Sequence, residues 1–260
     1  SIVAVHGLRA HPIKNWMSKG ENPVMWLQDL LPKDLPQARV MNFGYNSNIV
    51  ENASVSSIRD FAMGLLNDLD SYRTDEERER PIVFICHSLG GLVVKQVSEN
   101  ATRHRDPTFK HLHTATHGII FLGTPHQGSS LAETGITFAN MVRYAYPKIR
   151  TQLLEALKQD SPTLQDLADD FRHLYPEFEI VSCYERQPTK YGIVVNKDSA
   201  LMMVNGERQV PLEGDHSRIC KFTGLDDPLY IAVRSRIQDM ARKAPNAVSV
   251  KFNTANTIRM

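Results

Sequence analysis

The sequence predicts an α/β domain, a mostly parallel sheet with helices on both faces. Three observations carry this. Short apolar strands alternate with amphipathic helices along the chain, the pattern of strands joined by helical crossovers. The run Pro81–Val94, PIVFICHSLGGLVV, reads as a buried strand, a tight turn and the start of a helix. The chain has 260 residues, 42% of them hydrophobic, which suits one large domain with a sizeable core.

The elements follow in order. Ile2–Val5 is a buried strand, ended by His6-Gly7. Pro23–Leu31 is a short helix with Trp26, Leu27 and Leu30 on one face. Ala38–Tyr45 is a strand. Val55–Tyr72 places Ile58, Phe61, Leu65, Leu66 and Leu69 at helical spacing. TDEERER, Thr74–Arg80, is a solvated turn. Ile82–Ile85 is apolar and β-branched, as a strand covered on both faces should be, and a helix runs on to about Arg103. His117–Leu122 and Phe178–Tyr184 are the next strands, and Ile193–Val195 is a shorter last one. Asp227–Arg242 closes the fold as a helix with Tyr230, Val233, Ile237 and Met240 inward.

The stretch between the strands at His117 and Phe178 is far longer than one crossover. Ser129–Tyr146 and Lys148–Leu174 both read as helices, with Pro147 and Ser161-Pro162 as breaks. This predicts a helical cap at about residues 127–175, over the carboxyl ends of the strands where ligands bind in such sheets. Its stripe Ile136, Phe138, Met141 and Val142 faces either the core or an acyl chain.

The strand–turn–helix unit at Pro81–Val94 has the layout of a nucleophile elbow, with Ser88 at the turn. Gly90 and Gly91 let the helix start close to the strand. The Leu89 amide lies at a helix N-terminus and can donate to an oxyanion. The usual pattern is G-x-S-x-G, and here Cys86 takes the first glycine position. A serine nucleophile needs a base, and the base an orienting acid. In α/β-hydrolases they follow in the order Ser, acid, His. Of ten histidines, His6, His11 and His87 precede or flank the serine, and His104, His111, His113, His117 and His126 come too early. His173 belongs to the cap, which leaves His216, in LEGDHSRIC, as the base. Glu185, directly after the Phe178 strand, is the chosen acid; Asp198 is the runner-up, and Asp215 beside the base is expected to point away. The second oxyanion donor is the Leu8 amide, in the turn after the first strand, where Gly7 allows close approach.

These residues sit in longer matching segments: VHGLRAHPIKNW from Val5, WLQDLLP from Trp26, ARVMNFGYNS from Ala38, ICHSLGGLVVKQ from Ile85, GIIFLGTPHQGS from Gly118, then VVNKDSA and GDHSRICKF. Together they resemble the lipase- or esterase-like α/β-hydrolases of the serine-active-site-containing protein family. The similarity is greatest to the SesB-type N-terminal domains of fungal NLR-like receptors, and it spans nearly the whole chain, to about Phe222. The family's elbow serine and late histidine map to Ser88 and His216, and its strand-end acid to Glu185. Where the family often has Gly before the HP pair, this chain has Ala10. The resemblance implies a sensor-type module or a free-standing relative, and leaves the substrate open.

Other chemistries find no support in the sequence. There is no C-x-x-C or H-E-x-x-H, so no metal is expected, and no phosphate-cradling G-x-x-x-x-G-K-[ST]. No cofactor is implied. A net charge of +1 without a basic stripe argues against nucleic acid, and no apolar run approaches a membrane span. Cys86, Cys183 and Cys220 are an odd number without framework spacing, which points to reduced thiols and a cytoplasmic location. The opening directly on a strand suggests preceding residues that pair with this sheet, and the receptor resemblance suggests further domains after Met260. Three functions fit: a serine hydrolase of carboxylic esters or acyl lipids, a lipid acyltransferase using the same site, and a signalling or interaction module with a vestigial site.

Overall fold

A computed structural model describes residues 1–47, 56–103, 107–126, 131–148 and 161–257. His104, the segments 127–130 and 149–160 of the predicted cap, and Val55 of the second predicted helix lie outside them. Six strands, β1 (Ile2–Val5), β2 (Val40–Phe43), β3 (Ile82–His87), β4 (Thr116–Leu122), β5 (Glu179–Glu185) and β6 (Arg208–Leu212), form one sheet in the order β2-β1-β3-β4-β5-β6. Every neighbouring pair is parallel.

The described helices are α1 (Trp26–Asp29), α2 (Leu31–Asp34), α3 (Ser56–Tyr72), α4 (Leu89–Arg103), α5 (Pro107–Ala115), α6 (Leu131–Ala145), α7 (Ser161–Leu174), α8 (Lys197–Ala200) and α9 (Pro228–Thr257). Alternate strand residues enter two separate cores, because successive side chains leave a strand on opposite faces. Val3, Val5, Phe84, Cys86, Ile119 and Phe121 pack with α3, α4, α6 and α7 on one face. Ile2, Ala4, Val83, Ile85, Ile120 and Leu122 pack with Trp16, Trp26, Phe222 and α9 on the other.

Four expectations need correction. Ile193–Val195 is not a strand. The last strand is β6, RQVPL, whose mostly exposed residues and Pro211 hide a strand signal, since proline is tolerated on a sheet edge. The helix α5, with Phe109 and Leu112 in the core, follows α4 where no element was predicted. The closing helix α9 runs fifteen residues past Arg242 and through Pro245. The opening strand β1 is not a sheet edge, because it lies between β2 and β3, and the edges among the described strands are β2 and β6.

The two described helices of the predicted cap sit differently from one another. α7 packs on the sheet face, with Leu164, Leu167 and Phe171 buried and the Phe171 ring edge-on to Phe121 of β4. α6 carries Phe138, Met141 and Val142 into the same core and leaves Ile136 exposed.

Candidate active site

The carboxyl ends of β1, β3, β4, β5 and β6 converge on one point. β3 ends at His87, and Ser88 follows with φ +55, in the left-handed region that a non-glycine residue occupies only when its surroundings enforce it. The surroundings are tight. A Cβ on Gly90 would lie 2.3 Å from the Val5 carbonyl oxygen, and one on Gly91 2.2 Å from Thr124 Oγ1. Both glycines are therefore required for α4 to leave the strand at this angle. The Ser88 amide donates to the Leu122 carbonyl at 3.0 Å, and Thr124 Oγ1 donates to the Ser88 carbonyl at 3.1 Å. The elbow is thus bonded to the end of β4 on both sides of the serine.

His216 arrives on the loop after β6. Its Nε2 lies 3.0 Å from Ser88 Oγ and its Nδ1 lies 3.1 Å from Glu185 Oε1. Glu185 is the last residue of β5, and its Oε1 also accepts from the Val195 amide at 2.7 Å. All three side chains are buried. The structure therefore brings Ser88, His216 and Glu185 into one hydrogen-bonded line. Asp198 is elsewhere, exposed in α8, and Asp215 turns back to accept from the Ser217 and Arg218 amides at 2.9 Å each.

Leu89 follows the serine directly, and Leu8 follows Gly7 in the turn after β1. Leu89 opens α4, so its N–H has no partner within the helix. A Cβ on Gly7 would stand 3.0 Å from Ser88 Cβ, which shows how closely the turn after β1 passes the nucleophile. Neither amide is engaged by an acceptor among the described residues.

Residues 2–159 match the family described as "Putative serine esterase (DUF676)". The chain belongs to this serine esterase family. Its curated relatives include Protein SERAC1 of Danio rerio, 29% identical over 92% of this chain, and Protein SERAC1 of Homo sapiens, 28% identical over 88%. The chain spans 38% and 37% of those relatives' lengths. The fold resembles that of the Bacillus licheniformis lipase BlEst2, with a TM-score of 0.55 at 14% identity over 90% of this chain and 91% of the lipase. It also resembles mouse alpha/beta hydrolase domain-containing protein 10, with a TM-score of 0.51 at 12% identity over 93% and 89%. The fold is that of the α/β-hydrolases.

Within this esterase-family site, several residues escaped the sequence reading. Tyr144, near the end of α6, sets its ring edge-on to His216 with centroids 5.4 Å apart. Burial and the neighbouring Asp215 and Glu185 push its phenol up, so it stays protonated beside the imidazole. Arg9, at φ +51, donates to the Ala145 carbonyl at 2.8 Å and lies over the Tyr146 ring. The turn that supplies the Leu8 amide is thereby tied to the end of α6. Gly123 sits at φ +56 against the His216 ring. The one local signal for it was GTPH itself, a glycine directly after a buried strand. His87, set aside because of its place in chain order, lies against His216 with ring centroids 5.0 Å apart. Cys86 is fully buried and its thiol is pushed well above the ordinary range by that burial, which makes it an inert core residue. Cys183 and Cys220 are buried and free as well.

Among the described residues no cluster of histidine, cysteine and carboxylate side chains could hold a metal ion. No described helix is long and apolar enough to cross a membrane.

Proposed function

We propose that this chain is a serine hydrolase that cleaves carboxylic esters through an acyl-enzyme, with Ser88 as nucleophile, His216 as base and Glu185 as orienting acid. The observation that supports it most is the line from Ser88 Oγ through His216 Nε2 and Nδ1 to Glu185 Oε1, at 3.0 and 3.1 Å. Ser88 Oγ attacks the acyl carbon while His216 Nε2 takes its proton. The oxygen of the tetrahedral intermediate accepts from the Leu8 and Leu89 amides, which act where the charge develops. Collapse breaks the ester C–O bond, and His216 returns the proton to the departing alcohol. Water, deprotonated by the same imidazole, then attacks the acyl-Ser88, the acyl–Oγ bond breaks, and His216 returns the proton to Ser88 Oγ as the acid leaves. Glu185 fixes the tautomer with the proton on Nδ1 and stabilises the imidazolium as it forms.

The substrate class in this reading is a small-molecule ester or acyl lipid, with α6, between β4 and β5, as the element that selects it. The three free, buried thiols support a reducing, cytoplasmic compartment. The test is labelling with a fluorophosphonate probe, together with turnover of short p-nitrophenyl esters. Ser88→Ala should abolish labelling and lower turnover by roughly two to four decades or more, with the fold intact by circular dichroism. A folded wild-type protein that neither labels nor turns over esters would sink the reading in favour of an interaction module with a vestigial site.

A further inference from the structure

The feature the proposed mechanism does not use is the side chain immediately before the nucleophile. His87 is buried, and each of its ring nitrogens faces an oxygen. Its Nε2 lies 2.9 Å from the main-chain carbonyl oxygen of His216, and its Nδ1 lies 3.1 Å from Asn15 Oδ1. A neutral imidazole carries one donor and one acceptor, so it cannot satisfy two acceptors. The His216 carbonyl can only accept, which assigns the His87 proton to Nε2. Nδ1 then needs a donor. Asn15 has one in reach, because its amide nitrogen is buried and without a hydrogen-bond partner. A half-turn of the Asn15 amide exchanges its oxygen and nitrogen, which are nearly equal in size. It gives Nδ2 a partner and Nδ1 a donor in one step.

The groups facing His87 agree with a neutral ring. From the end of β1 there are Gly7 and His6; from the following loop, Asn15 and the Trp16 ring; from the loop after β6, His216 and Lys221. None is an anion, and burial with these neighbours holds His87 well below the ordinary histidine range.

We propose that Asn15 and His87 are positioning residues for the esterase reaction: Asn15 Nδ2 donates to His87 Nδ1, and His87 Nε2–H donates to the His216 carbonyl. This deepens the function proposed above and rests on it. One ring ties the backbone that carries the base to the residue bonded to the nucleophile. The far end of the chain is itself held, since Cys220 Sγ donates to the Asn15 carbonyl at 3.3 Å. Without the ring, His216 keeps Glu185 and Ser88 as side-chain partners but loses the hydrogen bond on its own carbonyl. The imidazole then departs from the line that proton transfer needs, and misplacement of a catalytic group by about 1 Å is worth up to about 100-fold in rate.

The experiment combines kinetics with nitrogen-15 NMR of the histidine rings in the intact chain. His87→Leu should lower kcat for a short ester by about 10- to 100-fold with KM within about threefold. His87→Gln, whose amide can still donate to the His216 carbonyl, should recover a large part of the loss. Asn15→Ala should cost less than His87→Leu, and the double variant no more than His87→Leu alone, because Asn15 acts through His87. In the unsubstituted protein, NMR should show His87 as the neutral Nε2–H tautomer at neutral pH. Wild-type kcat in folded His87→Leu, additive losses in the double variant, or a His87 that is protonated or carries its proton on Nδ1 would each overturn the proposal. If His87→Leu does not fold, Asn15→Ala and the tautomer decide it. Absence of ester turnover and probe labelling in the wild type would instead sink the esterase reading, and the tautomer would still decide whether the hydrogen-bond chain exists.

Discussion

Gly123 shows how little room the proposed base has. A Cβ placed there would stand 3.1 Å from His216 Nδ1, 3.2 Å from its Cε1 and 2.9 Å from Ile219 Cδ1, and the residue holds φ +56. Gly123→Ala thus combines backbone strain with a push on the imidazole. We expect it to lower kcat by about tenfold or more, a misplacement effect, while the protein still folds. Unchanged kcat in Gly123→Ala would mean that the ring has slack the geometry does not suggest. The acid is tested by comparison. Glu185 is buried against His216, whereas Asp198 is exposed in α8. Glu185→Gln should therefore cost about two to four decades in kcat and Asp198→Asn almost nothing. A reversed ranking would move the orienting role to Asp198. Glu185 was legible because it stands at the end of an apolar strand, and His216 because chain order excludes the other histidines. Asn15 and Tyr144 meet the site only through tertiary contacts, and nothing local in the sequence announces such a contact.

At the scale of elements, the cap helix α6 answers a question the sequence left open. Phe138, Met141 and Val142 are buried in the core shared with α4 and α7, and Ile136 is exposed. Met141→Ala should thus act as a core truncation and cost about 2–5 kcal/mol, a fall of roughly 4–20 °C in Tm, at unchanged ester chain-length preference. Ile136→Ser should leave Tm within about 2 °C, so any change it makes in chain-length preference reports substrate contact. A Met141→Ala protein of wild-type Tm with altered chain preference would reassign that side chain to the acyl site. The buried strands β3 and β4 were legible because their residues are continuously apolar, and α3 and α4 because their apolar residues recur at helical spacing. β6 was not, since RQVPL is an edge strand whose exposed positions are polar. The extension of α9 was hidden by Pro245, which ordinarily ends a helix yet here lies between Ala244 and Val248, both buried. The early helix was legible as a location only, because Leu30 separates α1 from α2 where one continuous helix was expected.

Across the whole molecule, buried titratable groups set a pH profile for stability. His6, His87 and His126 are buried and held below the ordinary value of 6.5, chiefly by that burial. Below about pH 6.5 the unfolded chain takes up protons that the folded chain refuses, so stability falls as the solution is acidified. Lys95, fully buried on α4, is pulled down to about 7 by burial and by Arg172. The unfolded chain keeps that proton up to about pH 10.5, so stability gains as pH rises from about 7. The thiols run the other way. Burial raises Cys183 and Cys220 to about 12 and Cys86 further, so above about pH 9 the unfolded chain loses protons that the folded chain keeps, and stability falls again. Tm should accordingly peak between about pH 7 and pH 9, with the steeper loss on the acid side of pH 6.5. The share of one residue in the acid limb can be isolated. Both ring nitrogens of His126 are buried without partners, and the ring sits edge-on to Phe121 with centroids 4.5 Å apart. His126→Leu keeps the volume and removes the unsatisfied polar atoms, so it should raise Tm at pH 5.5 by about 2–6 °C and at pH 8 by less. Calorimetry of both proteins across this range checks it. A parallel shift at all pH values would show that packing, not protonation of His126, makes the difference, and a lower Tm for His126→Leu at pH 5.5 would show that the ring has a polar partner.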